Sequence, residues 1–195
     1  MHPWSDYVEI YWGSRGQAYV LPVGPNEVCG ALISRRKFHS FREGLSEFPK
    51  LAARLRDSAS TTRVRGALSV SCTLKQACRG NLALIGEASG SVDAITGARV
   101  ALAFRQALVL APALAAGDLS SYAAAHSRIN NLPEFMSHSM LLMDRSRWLR
   151  QRSLRALSRQ PGLFARMLAV HMGEMRLKDF GVGGLLNLGW QLLRA

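Results

Sequence analysis

Cysteine is scarce in this chain: Cys29, Cys72 and Cys78 are the only three. An odd number of thiols builds no closed disulfide framework, and the Cys72 to Cys78 spacing matches no common zinc-ligand pair. The thiols therefore read as free and buried. The five histidines are scattered, with no two four residues apart as on a metal-binding helix face, so no metal site is expected. Long apolar runs are missing too. A membrane span needs ~18 or more such residues, and the nearest approach, residues 100–116, is interrupted by Arg105 and Gln106. The opening Met-His-Pro-Trp-Ser-Asp lacks a basic region followed by an apolar stretch, which excludes a secretory signal and predicts a cytoplasmic location. Acid is also in short supply, with 13 Asp and Glu against 25 Lys and Arg and a net charge of +12. The excess gathers late, where Arg145, Arg147, Arg150, Arg152, Arg155 and Arg159 follow one another with no acid between them. Such a run suits nucleic acid, acidic lipid headgroups or an anionic substrate, and its plainer reading is a solvated helix face. No zinc finger or RNA-binding aromatic motif accompanies it, which argues against nucleic acid.

What is present is enough for a folded core. Of the 195 residues 48% are hydrophobic and 19% charged, the balance of a globular chain of one domain or pieces of two. The first third alternates apolar and polar residues. Strands are predicted over residues 7–12, 17–23 and 27–33, separated by Gly13-Ser-Arg-Gly16 and Gly24-Pro25-Asn26, as in an antiparallel meander. Leu45, Phe48, Leu51, Ala52 and Leu55 recur at helical spacing, Ser58 to Thr62 break the pattern, and residues 63–73 look extended. Leu82-Ala-Leu-Ile85 is a short apolar run bounded by turn signals, the pattern of a buried strand. The rest is mostly helical: residues 100–116 kinked or restarted at Pro112, a second helix capped by Asp118 or Ser120, an interruption at Pro133, a helix from 134 to about 159, and another from Pro161 through Met172. Residues 181–184 loosen the chain before an apolar tail, 185–194, expected to pack on its own chain.

One segment carries recognisable chemistry. From Asn81 it reads Asn-Leu-Ala-Leu-Ile-Gly86-Glu87-Ala88-Ser-Gly-Ser-Val-Asp93-Ala-Ile-Thr-Gly97-Ala98-Arg99-Val100. A strand ends in glycine and an acid, a small-residue loop follows, and a long helix opens near Gly97. A carboxylate at a strand end accepts hydrogen bonds from ligand hydroxyls, small residues admit a ligand to the backbone, and a helix start offers free amides. That is the layout of a nucleotide-type site at a strand's C-terminal end.

This segment resembles the second FAD motif of flavoprotein monooxygenases and geranylgeranyl-reductase-like oxidoreductases. The family pattern is an apolar strand, Gly-Asp-Ala-Ala, a loop with Asp-Pro, then Gly-Glu-Gly opening a helix. Gly86 and Ala88 match, and Glu87 stands where the family's Asp holds the ribityl chain of FAD. Asp93 matches the loop acid and Gly97 the first glycine of the pair. The resemblance implies that backbone around Gly97, Ala98, Arg99 and Val100 faces the flavin ring, and that the flavin takes hydride from NAD(P)H and passes electrons to oxygen or an alkene. Its implied substrate is an apolar or aromatic small molecule; Tyr19 reads equally as facing the substrate side or as an ordinary half-buried strand tyrosine. There are departures. Ala94 replaces the loop Pro, which should loosen the loop. Ala98 and Arg99 replace Glu and Gly, and if position 99 needs a positive φ the arginine costs about 1–2 kcal/mol.

The family also binds the ADP half of FAD through Gly-x-Gly-x-x-Gly, which nothing here matches. The expected fold is α+β, an incomplete α/β FAD-binding fold. Residues 1–75 would form a substrate-domain-like sheet and helix, 76–117 the second half of the FAD site, and 118–195 a helical extension. The expected function is the C-terminal portion of an FAD-dependent oxidoreductase, inactive alone and short of a Rossmann-containing half. The alternatives are a non-catalytic interaction module and a basic protein with peripheral membrane contact through residues 145–159 and Trp190. No residue is nominated as catalytic acid or base: His39, His126, His138 and His171 read as structural or solvated.

Overall fold

A computed structural model of the chain describes residues 2–176, 178–181, 183–184 and 189–190. The chain forms two units, Met1–Leu68 and Ser69–Ala195. About 52% of it is helix and about 16% strand, in small antiparallel sheets, so the fold is mixed α+β.

In the first unit, β1 (Glu9–Trp12), β2 (Gly16–Gly24) and β3 (Glu27–Ser34) form an antiparallel sheet in that order. The expected meander is there, although its first strand begins at Glu9 rather than Tyr7. Glu9 pairs with Val20 and Gln17 with Ile33, so Ala18 and Val20 lie on the face that meets Phe48 and Leu51 in the core. The single helix expected across residues 45–55 is two, α1 (Phe41–Leu45) and α2 (Pro49–Arg54). The proline separates them. A residue before proline avoids the helical region, and Phe48 sits at φ −125°, ψ 71°. Pro49 itself suits the first helical position, where no amide donor is needed. Beside the sheet, one oxygen of Glu9 accepts hydrogen bonds from Trp4 Nε1 at 2.9 Å, Tyr11 Oη at 2.5 Å and Arg54 at 3.1 Å. The Trp4 bond leads the causes that hold its carboxyl below the usual range.

The second unit has four two-residue strands: β4 (Cys72–Thr73), β5 (Cys78–Arg79), β6 (Leu82–Ala83) and β7 (Gly90–Ser91). β4 pairs with β7 and β5 with β6, both antiparallel. Of the extended stretch expected over residues 63–73, only the last two residues are strand, and Val64, Leu68 and Val70 are exposed. The expected buried strand over residues 82–85 is likewise shortened, and Leu82 is 61% exposed. β6 has a partner only in β5, whose two residues cannot cover an apolar run. Cys29 and Cys72 are exposed rather than buried, and Cys78 is half-buried.

Next come the helices α3 (Arg99–Ala115), α4 (Leu119–Arg145), α5 (Arg147–Arg159) and α6 (Pro161–Met172). Gly117 ends α3 as expected, and Asp118 caps α4 by accepting from the Ser120 amide at 2.9 Å. Two proline expectations are corrected. α3 runs through Pro112 without restarting, at the loss of the one bond that an amide there would give the Leu108 carbonyl. α4 runs through Pro133, and the break falls at Ser146, whose hydroxyl accepts from the Leu149 amide and starts α5. Pro133 is buried, so packing of its ring offsets the lost hydrogen bond. A cluster of Ala77, Ala113 and Tyr122 and another of Leu163, Val170 and Phe180 form the apolar core of this unit. The expected packing of the tail over 185–194 falls, apart from Gly189 and Trp190, outside the described residues.

The continuity of α4 has a direct test. A proline inside a helix costs about 3 kcal/mol, while trimming a buried ring to a methyl loses roughly 1–2 kcal/mol of burial. Pro133→Ala should therefore raise stability in urea unfolding by about 1 kcal/mol. A loss of stability would mean that the chain turns at Pro133.

Candidate functional site

The motif residues gather at the start of α3. Gly86–Ser89 forms a 3-10 turn, β7 follows, and Ala94–Thr96 forms a second 3-10 turn leading through Gly97 and Ala98 into α3. Gly90 is required twice over: its φ is +116°, and a Cβ there would lie 2.8 Å from the Cys72 carbonyl oxygen. Gly97, at φ +66°, ends the second turn in the left-handed region while space beside it stays open.

What holds this loop is a buried amide that sequence reasoning passed over as an interruption of an apolar run. Gln106 is fully buried. Its Oε1 accepts from the Gly86 amide at 2.6 Å and the Ser89 hydroxyl at 3.3 Å. Its Nε2 donates to Asn130 Oδ1 at 2.9 Å and faces His126 Nε2 at 3.3 Å. The donor–acceptor order makes His126 Nε2 an acceptor, which requires a neutral ring. Tyr122, one helical turn before His126, is fully buried and donates to the Leu84 carbonyl at 2.6 Å. Burial pushes its hydroxyl pKa up to about 12. Motif loop and α4 are thus fastened together by polar bonds hidden from water.

The site residues themselves are mostly engaged. Asp93 Oδ1 accepts from the Ile95 amide at 3.0 Å, a turn-forming role. The amide of Ala94 donates to Ser69 Oγ at 3.0 Å. The loop expected to be loosened by Ala94 is therefore pinned, and through an amide that proline would not possess. Ala98 precedes α3 at φ −85°, and its amide donates to Thr96 Oγ1 at 3.3 Å. Arg99 lies inside α3, and among the described residues no non-glycine residue has positive φ, so the backbone penalty considered for arginine does not arise. Ala88 is exposed in the first turn.

Arg99 does something else. Its Nη1 pairs with Glu87 Oε1 at 2.8 Å and its Nε donates to the Val92 carbonyl at 2.8 Å. The residue that departs from the motif thus holds the acid that the motif would offer to a ligand. The cleft lined by Gly86, Glu87, Gly90, Val92, Arg99 and Leu102 encloses about 10 Å³, roughly the room of one water molecule. In this conformation the residues do not fit a flavin: the acid is paired with Arg99, and the cleft that the arginine helps to line has room for about one water molecule.

The histidines make separate contacts. His39 pairs with Glu43 on the surface, His138 meets its own helix at the Glu134 carbonyl, and His171 Nε2 lies 3.1 Å from the Thr96 carbonyl, tying α6 to the motif loop. Tyr19 donates to Gln17 Oε1 at 2.7 Å. Among the described residues no group of three or more His, Cys, Asp or Glu could hold a metal ion. No family model, no curated protein and no solved structure matches this chain. Among the described residues no helix is long and apolar enough to cross a membrane.

Burial lowers the pKa of His126 from its ordinary 6.5, against a smaller raising effect of Glu134. The unfolded chain then binds this proton first as pH falls. The stability from the neutral ring is complete above pH 6.5 and declines as pH drops toward the lower folded value. Urea unfolding between pH 7.5 and about pH 5 should show that decline, and His126→Gln should remove the component that begins near 6.5. Gln106→Met leaves the half-buried Gly86 amide and Asn130 side-chain carbonyl without this partner; with water able to reach both in part, a loss of about 1–3 kcal/mol in total is expected in the same assay.

Proposed function

We propose that this chain is the C-terminal portion of an FAD-dependent oxidoreductase of the flavoprotein monooxygenase and geranylgeranyl-reductase-like kind. In this reading it is inactive alone, closed at its flavin site by Arg99, and shaped to meet a separate Rossmann-containing half. The observation that carries the reading is the outward face of α3. Val100, Phe104 and Leu108 form a stripe at helical spacing directly after the motif, each about two-thirds exposed or more, while Leu102, Gln106 and Ala113 are buried on the opposite side. A helix that is apolar all round belongs inside a protein. Here one of its faces is left for a partner, and it begins where the motif residues converge. The resemblance supplies FAD as the cofactor, NAD(P)H as electron donor and an apolar or aromatic substrate; Glu87 would serve the ribityl hydroxyls once released from Arg99.

The test is an FAD titration of the purified chain, followed by flavin fluorescence and by absorbance after desalting. The wild-type chain should retain no flavin. Arg99→Gly, which restores the family residue, should produce saturable quenching that Glu87→Ala added to it abolishes. Absence of quenching in both wild type and Arg99→Gly would sink the assignment of this segment to FAD.

A further inference from the structure

The second charged feature of the chain lies far along the sequence from the motif. From Arg145 to Gly173 there are seven arginines and no acid. Within this stretch α5 buries Ser153 and Ala156, which fixes its orientation. Trp148, Arg152, Arg155 and Arg159, at steps of four, three and four residues, then share a stripe that flanks the buried face, with Arg152 half-buried and the other three exposed. Trp148 is 65% exposed and carries the Arg152 guanidinium 4.9 Å from its ring centroid. α6 follows after Gln160 alone and buries Leu163 and Val170. Its other side carries Phe164, Leu168 and Met172 at four-residue spacing, each about half exposed.

Water solvates arginine well but not a half-exposed Phe-Leu-Met stripe, and nucleic acid offers phosphates without an apolar phase for that stripe to enter. A bilayer surface offers both. Anionic headgroups meet the guanidinium groups, an indole sits at the headgroup level, and apolar side chains reach the acyl boundary. We propose that α5 and α6 form a docking surface for a lipid bilayer rich in anionic headgroups. The α5 stripe supplies the electrostatic attraction, with Trp148 at the interface and the α6 stripe as the apolar component. Contact is peripheral, because neither helix is long and apolar enough to cross.

The experiment is co-sedimentation of the full chain with vesicles of phosphatidylcholine alone and of equal parts phosphatidylcholine and phosphatidylglycerol. Binding should be confined to the anionic vesicles and fall as salt is raised. Arg152→Gln, Arg155→Gln and Arg159→Gln together, the three arginines of the α5 stripe, should weaken it roughly a hundredfold. Brominated acyl chains should quench Trp fluorescence in the wild-type chain and much less in Trp148→Phe. Circular dichroism of each variant checks that the helices are intact. Equal binding to neutral vesicles, no binding to either, or an unchanged affinity in the folded triple variant would overturn the proposal. Salt-sensitive capture of duplex DNA in the absence of vesicle binding would overturn it in favour of a nucleic-acid surface.

Discussion

A single buried amide, Gln106, is the constraint on which the second unit depends. A fully buried carboxamide must find partners for both its ends, or the desolvation of each is uncompensated. Here the oxygen end takes the Gly86 amide and the Ser89 hydroxyl, and the nitrogen end takes Asn130 and faces His126. Those partners belong to a loop and to α4, so satisfying one side chain positions both against α3. Tyr122 adds a second tie from α4 to the Leu84 carbonyl, just before that loop. Because the network needs His126 neutral, packing and protonation are coupled: charging the ring would replace an acceptor by a donor facing another donor.

The same loop shows how a ligand-shaped segment can be held by its own residues. Asp93 closes a turn, the Ala94 amide reaches Ser69, and Glu87 pairs with Arg99. Each is a role that a bound molecule would otherwise claim or that a bound molecule would have to respect. Arg99 is central because it lies in ordinary helical conformation and so costs the backbone nothing. Its side chain folds back over the loop to the Val92 carbonyl instead of extending into solvent.

Elements whose signals are local were legible in the sequence: the meander, the αL glycine after α3, the Asp118 cap and the proline starting α6 are each set by a few adjacent residues. Where tertiary contacts decide, the reading failed. Pro133 looks like a break, but α4 continues through it with the ring buried, and the real break at Ser146 carries only an unobtrusive hydroxyl cap. Residues 82–85 have the composition of a buried strand, but burial requires neighbours that β5 and β6 do not supply. In the candidate site, Glu87 and Gly97 are singled out by the strand–loop–helix pattern and by the resemblance. Gln106 is not, since a glutamine within an apolar helix reads as an interruption until Asn130 and Gly86 are seen to converge on it. The polar residue on the buried face of α3 was the available signal, and its position in register with Leu102 and Ala113 marks it as inward-facing.

The strength of the Glu87–Arg99 contact bears on what closes the site. Glu87 is 66% exposed and Arg99 23%, so water screens the pair from one side and an exposed pair of this kind contributes about 0–1 kcal/mol. Charge attraction alone would therefore be a weak lock, easily exchanged for ligand hydroxyls. The arginine's other bond, to the Val92 carbonyl, is the firmer one, because it anchors the guanidinium stem where the cleft would otherwise open. Arg99 thus shapes this cleft through its anchored side chain as well as through its charge.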